Sequence, residues 1–270
     1  MNNITKKRIE ELANNVRKVC STDDYGIINI FDSVAALGYK LIRYPLGNTD
    51  ILGFAQLRDE DRIIFSNSSQ ILSREIFTLA HELAHHELGH IDLHNLTITD
   101  CTLLGDSSQE TEANLFAAAL LVPDDKLASF VRNELQNKPS SGWNSLDIAR
   151  MQTAFNVSYD MILNRLEALG YIDNMIHTRL NDAKTQRSVS SLLRIIDGSD
   201  ALCRSCNSKR IPPEYMNWVF ENYRMKLIPK QTVEKALSYF DELIPEDILS
   251  EEVSSDVDID IDAFLGDDKS

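Results

Sequence analysis

No stretch of this chain approaches the ~18 consecutive apolar residues that a membrane span requires, and the segment from Met1 to Lys7 lacks the apolar region of a secretory leader. Both absences exclude the usual membrane and export signals, so the expected address is cytoplasmic. Cysteine is scarce too. Cys20, Cys101, Cys203 and Cys206 are the only four, too few for a disulfide framework, and a reducing compartment would keep them as thiols. Cys203 and Cys206 have the spacing of half a zinc knuckle, but no second pair follows, so ordinary loop thiols are expected there. Positive charge is short as well: 27 Lys and Arg against 42 Asp and Glu give a net charge of −15. Residues 246–270 hold ten acids and one lysine, a net −9, which leaves −6 for the rest. That balance repels phosphate backbones and disfavours direct nucleic-acid binding. The tail itself reads as a solvated, disordered end, although Val257–Leu265 alternates acidic and apolar residues and could dock on a basic partner.

Among what is present, His81-Glu82-Leu83-Ala84-His85 carries the most information. Residues four apart on a helix lie about 40° apart, so both imidazoles can reach one ion. Glu82 sits on the adjoining stripe, from which its carboxylate can take a proton from a water without becoming a ligand. The run Ile76, Leu79, Ala80, Leu83, Ala84 passes through the same segment at helical spacing, which predicts a core-packed helix rather than a solvated polar one. Gly89 supplies its stop.

A catalytic zinc takes three protein ligands and leaves a position open for water. A metzincin arrangement would need a glycine three residues after His85 and a histidine six residues after it; those positions hold Leu88 and Ile91. The run Glu110–Pro123 instead predicts an alanine-rich helix with two acids at its start, and Ala117 to Ala119 would let it approach another helix closely. Glu112 shares a face with Phe116 and Ala119, whereas Glu110 points about 200° away. Glu112 is therefore the expected third ligand, and Glu110 a first-turn acid that suits the helix dipole.

The two blocks Phe77–His85 and Glu112–Ala117 together resemble the ImmA/IrrE metallopeptidases, over roughly residues 25–175. The resemblance implies a gluzincin-like site in which His81, His85 and Glu112 bind Zn2+ and Glu82 is the catalytic general base. It also implies a protein substrate: a DNA-binding, helix-turn-helix transcriptional repressor of a mobile element or a stress response. Ala84 stands where many members have glycine, a conservative change on the packed side of the helix.

Along the chain, helices are expected at 4–20 and 28–37, then short strands at Lys40–Tyr44, Ile51–Leu57 and Arg62–Ser66 forming a small antiparallel sheet whose edge could hold an extended substrate. Ile91–Ser108 reads as a loop between the two zinc-bearing helices. A helix follows at Asp124–Leu135, then a break around Pro139 and Gly142. Residues 145–172 read as a helix-turn-helix with Ser158 as a cap, and helices are expected at Ser188–Ile196, Pro213–Met225 and Lys230–Leu243. Tyr215, Trp218, Phe220, Tyr239 and Phe240 in the last two are expected to pack a small second core. The whole reads as an α+β protein. A mainly helical zincin-like core fills 1–140, a helix-turn-helix-like subdomain 141–178, a helical appendage 179–245 and the acidic tail 246–270.

Three function classes compete. A zinc endopeptidase cutting a regulatory protein is favoured. A non-catalytic antirepressor or antitoxin-like protein would need a fourth ligand closing the site, for which His86 and His90 are the candidates. A DNA-binding regulator using 145–172 is disfavoured, because Asp147, Asp160 and Glu167 outnumber Arg150 and Arg165 there. His90, Tyr159 and Tyr171 are unranked candidates for stabilising an oxyanion.

Overall fold

Residues 3–91, 97–100 and 108–239 are described by the computed structural model. The first helix, α1 (Asn3–Arg17), buries Ile9, Ala13 and Val16 at spacings of four and three. The short α2 (Ile30–Ala36) is capped by Asn29, whose side chain accepts from the amides of Phe31 and Asp32. Three strands follow, β1 (Lys40–Tyr44), β2 (Gly53–Arg58) and β3 (Asp61–Asn67). Asp59, at φ +53°, turns β2 into β3.

The sheet is mixed rather than antiparallel. Residues 45–52 carry the chain past β3, so β1 lies on the far side of the β2–β3 hairpin and runs parallel to β3, Leu41 opposite Ile64. Asn67, fully buried, ties this crossing down by accepting from the Leu46 amide and donating to the Ile51 carbonyl. A fourth strand, β4 (Thr97–Asp100), pairs antiparallel with the outer edge of β2, Gly53 opposite Asp100. The segment expected to be only a loop thus contains an edge strand, and the order is β1-β3-β2-β4.

One helix, α3 (Leu72–Glu87), lies on the sheet, against β2 and β3, and a second, α4 (Ser108–Leu121), packs on α3. Leu79, Ala80, Leu83 and Ala84 of α3 are buried, as are Ala113, Phe116, Ala117 and Leu120 of α4. The alanines let the helix backbones come close, and α4 is sandwiched between α1 and α3. Beyond Pro123 lies α5 (Asp124–Asn133), then α6 (Ser145–Phe155) and α7 (Tyr159–Ala168). Asn144 and Asp147 form a reciprocal capping box on α6, Asn156 closes it at φ +56°, and Ser158 caps α7. These are the two helices of the expected helix-turn-helix. They are followed by α8 (Asn174–Gln186), which the periodicity did not announce, and α9 (Val189–Ile195).

The expected divisions near 140 and 178 do not separate packing units. Trp143, Ile148, Phe155, Leu163, Leu192 and Leu193 belong to the same core as Ile9, Leu79 and Phe116, and one compact unit runs to Pro212. A second unit begins at Pro213 with α10 (Pro213–Arg224) and α11 (Lys230–Ser238), built on Val219, Val233 and Leu237 with Tyr215, Phe220 and Tyr223 packed against them. Trp218 and Tyr239 are only partly covered there. The expected end of α11 at Leu243, Phe240 and the acidic tail lie outside the described residues. Fold class is as expected, α+β and mainly helical.

Candidate metal centre

On α3, His81, Glu82 and His85 are all completely buried. One helical turn brings the imidazoles edge to face, with His81 Nε2 3.1 Å from His85 Nε2. A carboxylate meets both: Glu110 Oε2 lies 3.0 Å from His81 Nε2 and Glu110 Oε1 3.5 Å from His85 Nε2. Among the described residues this is the one group of three or more His, Cys, Asp or Glu side chains whose ligand atoms converge as a metal requires.

The donor set fits a zinc ion. Ligand atoms about 2.0–2.2 Å from a tetrahedral zinc lie about 3.3 Å from one another, and the three separations of 3.0, 3.1 and 3.5 Å bracket that value. The outer nitrogen of His81, Nδ1, is 3.0 Å from Asn114 Oδ1. An amide oxygen only accepts, so Nδ1 carries the hydrogen and Nε2 presents its lone pair inward, towards a carboxylate that also only accepts. A metal cation held between them would satisfy these facing acceptors in a buried site.

The third position belongs to Glu110, not to Glu112. On α4, Glu110, Asn114 and Ala117 fall within about 40° of one stripe, and this stripe meets α3, with Glu110 and Asn114 both on His81. Glu112 reaches His90 instead, Oε2 to Nε2 at 3.4 Å. Phe116 and Ala119, whose face Glu112 shares, are indeed buried. But α4 is packed against both α1 and α3, so an apolar stripe does not by itself mark the side that meets the metal helix. The signal that would have found Glu110 is the amide one turn on at Asn114, a ready acceptor for a ligand histidine.

Glu82 lies under β2. A Cβ built on Gly53 would stand 3.0 Å from Glu82 Oε1 and 2.7 Å from Thr78 Cγ2, so only glycine at 53 lets the strand rest on this carboxylate. The remaining candidates fall elsewhere. His86 donates from Nε2 to the Ile63 carbonyl at 3.0 Å, and burial holds it below the usual imidazole range. His90 meets the outer nitrogen of His85, Nδ1 to Nδ1 at 3.0 Å, and burial with the neighbouring His85 likewise pushes it down. Neither joins the converging group, so no fourth protein ligand closes it among the described residues. Tyr159 is core, its hydroxyl donating to Leu180 O, and Tyr171 donates to Asp124; burial, with that carboxylate beside it, pushes Tyr171 up to about 12. Cys206 sits beside Arg43 and Glu75, in a cluster where Glu75 accepts from Arg43 Nε and Nη2 at 2.9 and 2.8 Å and from Ser66 Oγ. This buried pair anchors β1 to α3.

Beside the centre, Phe77, Asn114, Leu115, Ala118 and Met161 line a mostly apolar cleft of about 660 Å³. Asn114 belongs to both, touching His81 from the cleft wall.

Residues 34–167 match the peptidase family M78, described as the IrrE N-terminal-like domain. This span belongs to that family. The matched span runs from α2 to α7 and contains every residue of the centre. An uncharacterized immunity region protein 2 of Bacillus phage phi105 is 27% identical over 110 residues, covering 41% of this chain and 68% of that protein. Within this M78 domain the motif histidines and a carboxylate from the following described helix come together. No helix among the described residues is long and apolar enough to cross a membrane.

Proposed function

We propose that this chain is a zinc-dependent endopeptidase that hydrolyses a peptide bond in a regulatory protein. The observation that carries the reading is the buried convergence of His81, His85 and Glu110, with Glu82 next to His81 on α3. When bound, zinc supplies Lewis acidity, polarising a carbonyl and lowering the proton affinity of a water. His81, His85 and Glu110 hold the ion, with Asn114 fixing the tautomer of His81. Glu82 takes a proton from the attacking water and delivers it to the leaving amine nitrogen. The closed packing around α3 excludes bulk solvent, which strengthens each of these electrostatic interactions. The cleft at Phe77, Leu115 and Met161 would orient the substrate chain through its apolar side chains.

For the substrate we infer a helix-turn-helix repressor of a mobile element or stress response, and for the location the cytoplasm. Membership of the M78 family and the likeness to a phage immunity-region protein support this choice. Direct DNA binding is no part of the reading: in α6 and α7, Arg150 pairs with Asp147 at 3.5 Å and Arg165 is buried on the Val122 carbonyl.

The test compares the wild type with Glu82→Gln, each co-expressed with helix-turn-helix repressors from the same genome as candidate substrates. Zinc retained with cleavage lost is the expected outcome. Undiminished cleavage by the variant would sink the assigned mechanism, and a sequestering protein that never cuts would show repressor intact in both.

A further inference from the structure

The end of α3 does more than stop a helix. The Gly89 amide donates to the His86 carbonyl at 3.2 Å and the His90 amide to the His85 carbonyl at 2.9 Å, with Gly89 at φ +72°. That pair of bonds is the Schellman closure, which needs a left-handed residue where Gly89 stands. It folds the chain back by one turn, so the His90 ring lies against the His85 ring, centroids 5.0 Å apart. His90 is only 7% exposed.

We propose that His90 and Glu112 are positioning residues that lock His85 into its ligand form; this rests on the reading that His81, His85 and Glu110 hold a divalent metal. The proton positions follow from the outer end inward. Glu112 Oε2 accepts, so the hydrogen between it and His90 sits on His90 Nε2. A neutral His90 then has its lone pair on Nδ1, and that atom lies 3.0 Å from His85 Nδ1. His85 therefore donates from Nδ1. Its Nε2 is left with the lone pair, facing His81 and Glu110. A ligand imidazole commonly leans on a carboxylate or carbonyl at its outer nitrogen; here the carboxylate acts through a second imidazole. The geometry also separates His90 from a ligand role, since it touches the nitrogen of His85 opposite the converging atoms.

Magnitudes differ between the two members. Losing such an outer partner costs about 10–100-fold in metal affinity, and the 3.0 Å contact of His90 is the closer one, while Glu112 acts at 3.4 Å and second hand. The account therefore orders the effects: His90→Leu large, Glu112→Gln smaller. His90→Gln keeps an oxygen acceptor for His85 Nδ1 and should restore much of what His90→Leu loses. Glu112→Gln should matter only while His90 is present.

The experiment is zinc affinity of the full chain, by competition with a chromophoric chelator, with the metal-free fold of each variant followed by circular dichroism. The expected result is a 10–100-fold weaker Kd for His90→Leu, substantial recovery in His90→Gln, and no further loss when Glu112→Gln is added to His90→Leu. Affinity within twofold of wild type in His90→Leu would overturn the relay, as would an equal effect of Glu112→Gln with and without His90. Should His90→Leu not fold, Glu112→Gln alone decides: an unchanged Kd overturns the proposal and a weakened one supports it. A wild type that takes up no zinc would overturn the metal reading itself, an outcome distinct from unaffected variants of a zinc-binding wild type.

Discussion

Glu110 and Glu112 are two positions and about 200° of helix rotation apart, and that rotation separates a group facing both motif histidines from one facing His90. The motif residues were legible in the sequence because their chemistry is local: one turn of helix aligns His81 with His85 whatever surrounds it. The third group was not, because which side of α4 meets α3 depends on how α1 packs on its opposite face. A residue with no chemistry of its own also proves decisive. Gly53→Ala would place a methyl group 3.0 Å from the Glu82 carboxylate and 3.0 Å from the Phe65 carbonyl, and backbone cannot give way cheaply. A shift of ~1 Å in a catalytic group costs about 10²-fold in rate. Turnover by Gly53→Ala should fall by at least tenfold with zinc content unchanged; full activity would show that β2 does not position Glu82.

Helix boundaries followed well from periodicity and caps, since Ser158 and Gly89 act within their own turns. Strand partners did not. Whether β1 joins β2 or β3 is decided by where residues 45–52 carry it, and β4 earns its place only by pairing with β2. α8 escaped notice because its sequence is polar and, among its described side chains, only Leu180 is fully buried. The metal helix itself starts without a side-chain cap; its Leu72 amide is satisfied instead by the Arg204 carbonyl of the segment returning after α9. Close by, Glu75 is completely buried and Arg43 nearly so, joined by two hydrogen bonds and with Phe31 3.5 Å from the guanidinium. Removing one member of such a pair leaves a buried charge uncompensated, at a cost of about 3–5 kcal/mol. Glu75→Ala should lower the unfolding free energy by that amount in urea titration. A loss below ~1 kcal/mol would show that the pair does not tie β1 to α3.

For the molecule as a whole, the division that matters falls at Pro212 rather than near 140, because α6, α7 and α9 share one core with the metal helix while α10 and α11 build their own. Composition suggested a large core plus an appendage, but a helix-turn-helix pattern carries no mark of which neighbour it packs on. A chain ending at Pro212 should therefore stay folded and keep its metal, with a cooperative melt and the zinc content of the full chain. Loss of either would place the last helices within the functional unit. The account stands most directly on zinc stoichiometry measured by native mass spectrometry for the intact chain and for Glu110→Gln. It predicts one zinc per wild-type chain and a variant that emerges metal-free from the same purification. One zinc held equally by both would contradict the assignment of Glu110, and none in the wild type would contradict the metal centre.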